Sequence, residues 1–210
     1  MNKPSHTQTK RPYCPACDRA KAVCICKHLV PLDNKIRLIV LRHPSETQHP
    51  LNTAKLLGYM LKHCTIYDGE YFDDHRPFQQ QLKKWQGPIH LVYPHLDAVH
   101  AKDLRNKVPP PTNRLFILLD GTWRKTRRIL HLSRCLDELP TVKLPLSVPS
   151  RYRIRKGQHP GTSTLEAAYG LLACLEQAPD TFQPLLQAMD AMIEQQIQRM
   201  DPEIFSLNYD

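Results

Sequence analysis

Four cysteines stand close together near the N-terminus, as Cys14-x2-Cys17-x6-Cys24-x-Cys26. Four thiolates complete the tetrahedral shell that zinc prefers, and a segment this short could scarcely fold without a metal. The CxxC half is a familiar chelating loop; the CxC half is rarer but sterically able to chelate. Two disulfides or four free thiols are the alternative, and His28 stands near enough to replace one sulfur. Spacing alone does not select the metal, so an iron–sulfur cluster is weighed beside zinc. A closed shell of four sulfurs leaves no open coordination position, so the expected role is structural. Lys10, Arg11, Arg19, Lys21 and Lys27 surround the cluster, where they would favour thiolates and could touch phosphates. Cys64, Cys135 and Cys174 sit in apolar contexts and read as core.

The second candidate for chemistry is Asp120. It ends the apolar run Arg114–Leu119 (RLFILL) and is followed by Gly121-Thr122-Trp123. An acidic residue at the carboxyl end of a buried strand lies where open α/β sheets bind ligands. Gly121 permits close backbone approach, Thr122 can cap the helix that follows, and the free amides of that helix start can hold polar ligand atoms. A bare N-capping role for Asp120 or Thr122 fits the same residues.

Basic residues gather around this point. On a helix from Trp123 to about Leu139, Arg124, Arg127, Arg128, His131 and Arg134 fall within an arc of roughly 120°, apart from Ile129, Leu132, Leu136 and Leu139. Such a nearly acid-free stripe reads as a phosphate rail, since an ordinary solvated face mixes signs. A second segment, 150–156, carries Arg151, Arg153 and Arg155 at period two, which share a face if the chain is extended. A charge-protected edge strand would look the same. Neither element resembles a major-groove helix, so the expected partner is shaped RNA rather than DNA. The whole chain agrees: Lys and Arg number 29 against 20 Asp and Glu, a net charge of +9.

These residues need elements to position them. The chain has 210 residues, enough for one substantial core and a small appendage, with 19 prolines against 7 glycines. Short apolar runs alternate with helical patterns, as in an α/β protein. Expected strands are 36–42, 65–67, 89–93, 114–119 and 142–144; expected helices are 53–63 with Asn52 as cap, 123–139, 163–177 opened by a Ser163/Glu166 capping box, and 182–200. Residues 150–158 read as an extended connection. No apolar run approaches the length that crosses a bilayer, and the first ten residues lack a secretory core, which points to the cytosol and reduced thiols.

Asp120-Gly-Thr-Trp123 resembles the D-x-T-W signature of the DTW-domain proteins, and Ser163-Thr-Leu-Glu-Ala167 resembles their second signature, S-T-x-E-A. The cysteine cluster, His43-Pro-Ser-Glu46 and Asn52-Thr53 look like further family features, and the likeness runs in order from about residue 11 to 180. Within the family it is similar to the bacterial tRNA-uridine aminocarboxypropyltransferases. Residues 1–10 read as a flexible tail and 11–30 as a small metal-ordered zinc knuckle; the resemblance implies that 31–210 is a catalytic domain with a SPOUT-like, mostly parallel sheet and a trefoil-knotted cofactor pocket. It implies transfer of the 3-amino-3-carboxypropyl group of S-adenosylmethionine to N3 of a tRNA uridine, typically nucleotide 47 of the variable loop, with methylthioadenosine released.

On that reading Asp120 takes the N3 proton. Gly121, Thr122, Trp123, Leu144, Ser163, Thr164 and Glu166 face the cofactor, and Arg124, Arg127, Arg128, Arg151, Arg153 and Arg155 face the RNA. Trp123 could stack on a ring or simply pack, and packing is the expected role for a Trp that opens a helix. Glu166 has a capping role to set beside binding of the cofactor's amino group, and His43 either flanks the site or only ends the first strand. A monomer is expected. A SPOUT-type RNA methyltransferase and a non-catalytic zinc-knuckle RNA-binding protein are the competing readings.

Overall fold

The run Ile36–Arg42 becomes strand β1 (Arg37–Arg42), and its side chains divide between two cores. Leu38 and Val40 join one apolar cluster, Ile39 and Leu41 the other; along β5 (Leu115–Asp120), Phe116 and Leu118 oppose Leu115 and Ile117 in the same way. Continuous apolar runs are what strands covered on both faces require. The computed structural model describes residues 12–144, 150–154 and 161–201, with 203 and 205. Around this centre lie β2 (Cys64–Asp68), β3 (Ile89–Val92), β4 (Val99–His100) and β6 (Thr141–Lys143). The six strands are ordered β2-β1-β5-β3-β6-β4, and every neighbouring pair is parallel. All carboxyl ends therefore reach one edge of the sheet, where Asp68, Arg42 and Asp120 stand in register.

Helices α1 (Ala54–Met60), α4 (Thr164–Leu175) and α5 (Pro179–Ile197) bury their apolar residues in the first cluster. Helices α2 (Arg76–Lys84) and α3 (Trp123–Leu132) cover the second through Phe78 and Ile129. The C-terminal helix thus packs on this chain's own α1 and α4, burying Phe182, Leu185, Met189 and Met192. The cysteine segment is docked as well: Cys17 and Ile25 belong to the first cluster, and Gln195 in the last turn of α5 and Arg199 just past its end donate to the carbonyls of Cys24 and Ala22.

Two expected helices end early, for a visible reason in each case. Helix α1 stops at Met60 because Leu61 turns extended and bridges Leu32, whose N–H donates to Met60 O at 2.7 Å. Helix α3 stops at Leu132 because Ser133 is claimed by the loop after β2: its Oγ accepts from Phe72 N–H at 3.1 Å. Asp73 then accepts from the N–H groups of Arg134 and Cys135, which start a short 3-10 turn that still buries Leu136. Arg134 therefore lies off the basic helix, and the stripe ends at His131. Residues 151–154 form a turn, with Arg153 N–H donating to Arg151 O at 2.9 Å, in place of the extended segment expected there. Strand β4 and helix α2 were not anticipated.

Candidate active site at the carboxyl edge of the sheet

Asp120 is 5% exposed and sits between the starts of two helices. Asn52 Nδ2 donates to its Oδ2 at 2.6 Å, and Thr164 Oγ1 donates to its Oδ1 at 2.6 Å. Asn52 reaches the carboxylate because its other side-chain atom is fixed: Oδ1 accepts from Lys55 N–H at 3.0 Å, the capping bond expected of it. Thr164 is placed by the capping box that opens α4. Burial pushes the Asp120 carboxyl above the ordinary range, Glu46 adds to that, and the bonds from Thr164 and Asn52 with the charge of Arg42 pull the other way. The result is a carboxylate held in place by neutral donors and not by its own helix, the state suited to a base.

Sequence reasoning did not foresee the charges around it. Arg42 is buried beside Asp120 and forms a two-pronged pair with Asp68, Nε to Oδ1 at 2.6 Å and Nη2 to Oδ2 at 3.0 Å. A charged residue closing the run IRLIVLR was the available signal. His43 N–H donates to Asp120 O at 3.0 Å, so the two central strands are tied together just past their ends. The His43 ring pairs with Glu70 at 2.5 Å, Glu70 also receives Arg128 at 2.8 Å, and Glu46 receives Lys125 at 2.6 Å. His43 accordingly flanks the site.

Thr122 caps α3, accepting from Lys125 N–H at 3.4 Å. Gly121, at φ 156°, has a structural reason: a Cβ there would fall 3.0 Å from Lys125 Cβ. Trp123 does not pack into the core. It is 43% exposed, touching Tyr93 edge-on, because the cap places it at the first helical position on the solvent side of the strand end. Ser163 Oγ accepts from Glu166 N–H, and Glu166 accepts from Ser163 N–H, Ser150 Oγ and Arg151 N–H. Those bonds give Glu166 the capping role and make it the anchor of the 150–151 chain. Leu144 packs toward Gly170 of α4.

The arginines separate into two sets. Arg124 and Arg127 are exposed, and among the described residues neither meets a carboxylate. Arg128 is paired with Glu70, Arg151 with Asp190 at 3.0 Å, and Arg153 with Glu194 at 2.8 Å. The last two pairs line an open groove of about 560 Å³ along α5. Arg155 lies outside the described residues, as do Lys10 and Arg11. Arg19, expected near phosphates, is turned inward to the carbonyls of Val23 and Pro50.

At the other end of the first core, the four cysteine sulfurs all lie within 4.8 Å of one another and no disulfide is present among them. Cys14 and Cys26 are 3.5 Å apart, Cys17 and Cys24 3.8 Å. Metal–sulfur bonds of about 2.3 Å in a tetrahedron require sulfurs about 3.8 Å apart, so the set fits a metal ion. The N–H groups of Cys17 and Ala16 draw the Cys14 thiol down, while hydrogen bonds with Cys24 and Cys14 hold the Cys26 thiol up. His28 stands outside the cluster.

The DTW domain model matches residues 11–197. Among curated proteins, tRNA-uridine aminocarboxypropyltransferase 2 of Drosophila melanogaster is 32% identical over 90% of this chain and 76% of its own length. The protein of the same name in Mus musculus is 31% identical over 90% of this chain and 65% of its own length. tRNA-uridine aminocarboxypropyltransferase A of Arabidopsis thaliana is 41% identical over 59% of this chain and 52% of its own length. No solved structure matches. With its two signatures meeting at one hydrogen bond, Asp120 to Thr164, and the domain model covering nearly its whole length, the chain belongs to the DTW domain family.

Proposed function

We propose that this protein is a tRNA-uridine aminocarboxypropyltransferase, using S-adenosylmethionine as co-substrate. The observation that carries the reading is the buried, donor-held carboxylate of Asp120 at the ligand-binding edge of a parallel sheet; the names of its relatives give the reaction class. The sulfonium supplies the leaving group, so neither a metal nor a covalent intermediate is needed. Uridine N3 attacks the γ-carbon of the aminocarboxypropyl group as Asp120 takes the N3 proton. The carbon–nitrogen bond forms, the carbon–sulfur bond breaks with its electron pair going to sulfur, and methylthioadenosine leaves. A carboxyl raised by burial is the better match for a weakly acidic imide.

Gly121 leaves room at the strand end, the Thr122 hydroxyl and the N–H groups at the start of α4 serve the methionyl end, and Leu144 is the apolar wall. Much of the acceleration comes from aiming the γ-carbon, and not the methyl group, at N3. The target is nucleotide 47 in the variable loop, as in the enzymes the sequence resembles. We assign the cysteine cluster a structural zinc ion held by Cys14, Cys17, Cys24 and Cys26, and the pocket a SPOUT-type knot. β6 lies between β3 and β4, which are joined only through residues 93–98, and that arrangement supports the knot. The protein acts on tRNA as a monomer in the cytoplasm.

The test is incubation with unmodified tRNA and S-adenosylmethionine, followed by nucleoside mass spectrometry. The aminocarboxypropyl nucleoside and methylthioadenosine are expected. Asp120→Asn should lower the rate by about 10²–10⁴-fold with tRNA binding retained. A methylated nucleoside with S-adenosylhomocysteine would replace this reading with methyl transfer; a normal rate in Asp120→Asn would remove Asp120 as the base.

A further inference from the structure

Trp123 is a large aromatic side chain, 43% exposed, three residues past the Asp120 that ends β5. The Thr122 cap fixes it there, and Tyr93 fixes its tilt: the ring centroids are 6.1 Å apart and the planes 72° apart. Tyr93 is itself held, half-buried against the second core with its N–H donating to Val142 O at 3.0 Å. A single edge-to-face neighbour leaves at least one indole face uncovered by Tyr93.

Charge at the same place is unbalanced. Arg127 is four residues along α3 from Trp123, so the two share a helix face, and Arg124 follows Trp123 directly. Neither of these two arginines meets a carboxylate among the described residues, whereas Arg128, Arg151 and Arg153 are paired. Arg127 Nε donates only weakly, to Trp123 O at 3.4 Å. An uncovered indole beside two uncompensated guanidinium groups complements a flat ring carried on a phosphate chain.

We infer that Trp123, braced by Tyr93, is a stacking platform for an unpaired nucleobase of the RNA substrate, with Arg124 and Arg127 on the flanking phosphates. The inference rests on the reading of the protein as an RNA-modifying enzyme, and it moves Trp123 from the cofactor side of the site to the RNA side. It makes Tyr93, which carries no signature of its own, a positioning residue for substrate.

The experiment uses a Trp85→Phe chain, in which Trp123 is the remaining one of two tryptophans. Unmodified tRNA, titrated without S-adenosylmethionine, should quench its fluorescence. Methylthioadenosine alone should not. Trp123→Ala should weaken tRNA binding about tenfold or more while Trp123→Phe stays near the parent. Tyr93→Leu should raise KM for tRNA with little change in kcat. If Trp85→Phe does not fold, the same signal is the quench lost between the unsubstituted chain and Trp123→Phe. Emission indifferent to tRNA, or quenched by methylthioadenosine and not by tRNA, overturns the platform. Mass spectrometry of the same tRNA keeps the two ideas apart. Quenching without the modified nucleoside would sink the transfer reaction and spare the platform; the modified nucleoside without quenching would do the reverse.

Discussion

The cysteine cluster and the Asp120 site both set polar groups into apolar surroundings, but they are built in opposite ways. The cysteines come from thirteen consecutive residues, and their sulfurs lie within 4.8 Å of one another, close enough to share an ion. Asp120 draws its partners from across the chain: Asn52 lies 68 residues before it and Thr164 lies 44 after it. The first arrangement adds stability where it sits, since binding a metal to the thiolates is folding free energy. The second subtracts, since a buried carboxylate costs free energy that two neutral donors offset only in part. One region serves the fold and the other uses it.

The largest expected effect follows from the first half of that contrast. Cys14→Ser with Cys17→Ser should remove one equivalent of metal and lower Tm by roughly ten degrees or more, because Cys17 and Ile25 are part of the main core and not of a detached knuckle. Elemental analysis and a thermal melt, with a chelator applied to the parent protein as control, measure both. Unchanged melting in the metal-free protein would make the cluster an ornament on a fold that does not need it.

The second prediction turns on pH. The folded pKa of Asp120 lies above its ordinary value of 3.8, so the folded chain holds that proton more tightly than the unfolded chain. Its stabilising contribution is full below 3.8 and is lost as pH rises through the raised value. Asp120→Asn removes that decline. The stability of the variant relative to the parent should grow with pH across this window and then level off. Asn52→Ala and Thr164→Val each delete a 2.6 Å donor to the carboxylate. Each should cost about 1–3 kcal/mol and move the acid limb of the transfer rate to higher pH. Denaturant titrations over pH, beside rate profiles, decide this. A limb that stays put in both variants would show that the carboxylate does not titrate in the reaction.

How much of this was legible in the sequence follows the same division. The gathering of the four cysteine sulfurs could be read, because those residues are neighbours in the chain. Strands β1 and β5 could be read within a residue, because continuous apolar runs have few other uses. Asp120 could be located but its bonds could not: Asn52 announces itself as a cap, and only the placing of β1 beside β5 brings that cap to the carboxylate. The early end of α3 was hidden for a related reason. The apolar spacing continues through Leu136, and the interruption comes from Ser133 bonding to a loop sixty residues away. Helix α2 went unseen because RPFQQQLKK buries only Phe78. The arginine at 153 looked free because its partner, Glu194, lies on a helix whose direction nothing local reveals.

That pairing supports the smallest and most discriminating prediction. Among the described residues Arg124 and Arg127 bond to no other element, so replacing both with Ala should leave Tm within about a degree of the parent. Arg151 and Arg153 each hold a half-buried carboxylate on α5, and their double Ala variant should lose up to about 1 kcal/mol per pair, a few degrees at most. Binding should rank the other way. Two free guanidinium groups on the phosphates of an unpaired RNA segment contribute about 1.4 to the logarithmic salt slope, and their loss should flatten it by that amount. Arginines that must first leave Asp190 and Glu194 gain less from RNA than they would if unpaired, so their removal should change the slope less. If instead the 151/153 variant weakened tRNA binding more than the 124/127 variant, the RNA would run along the α5 groove. The two arginine sets would then exchange roles, and the pairs with α5 would be contacts the RNA displaces.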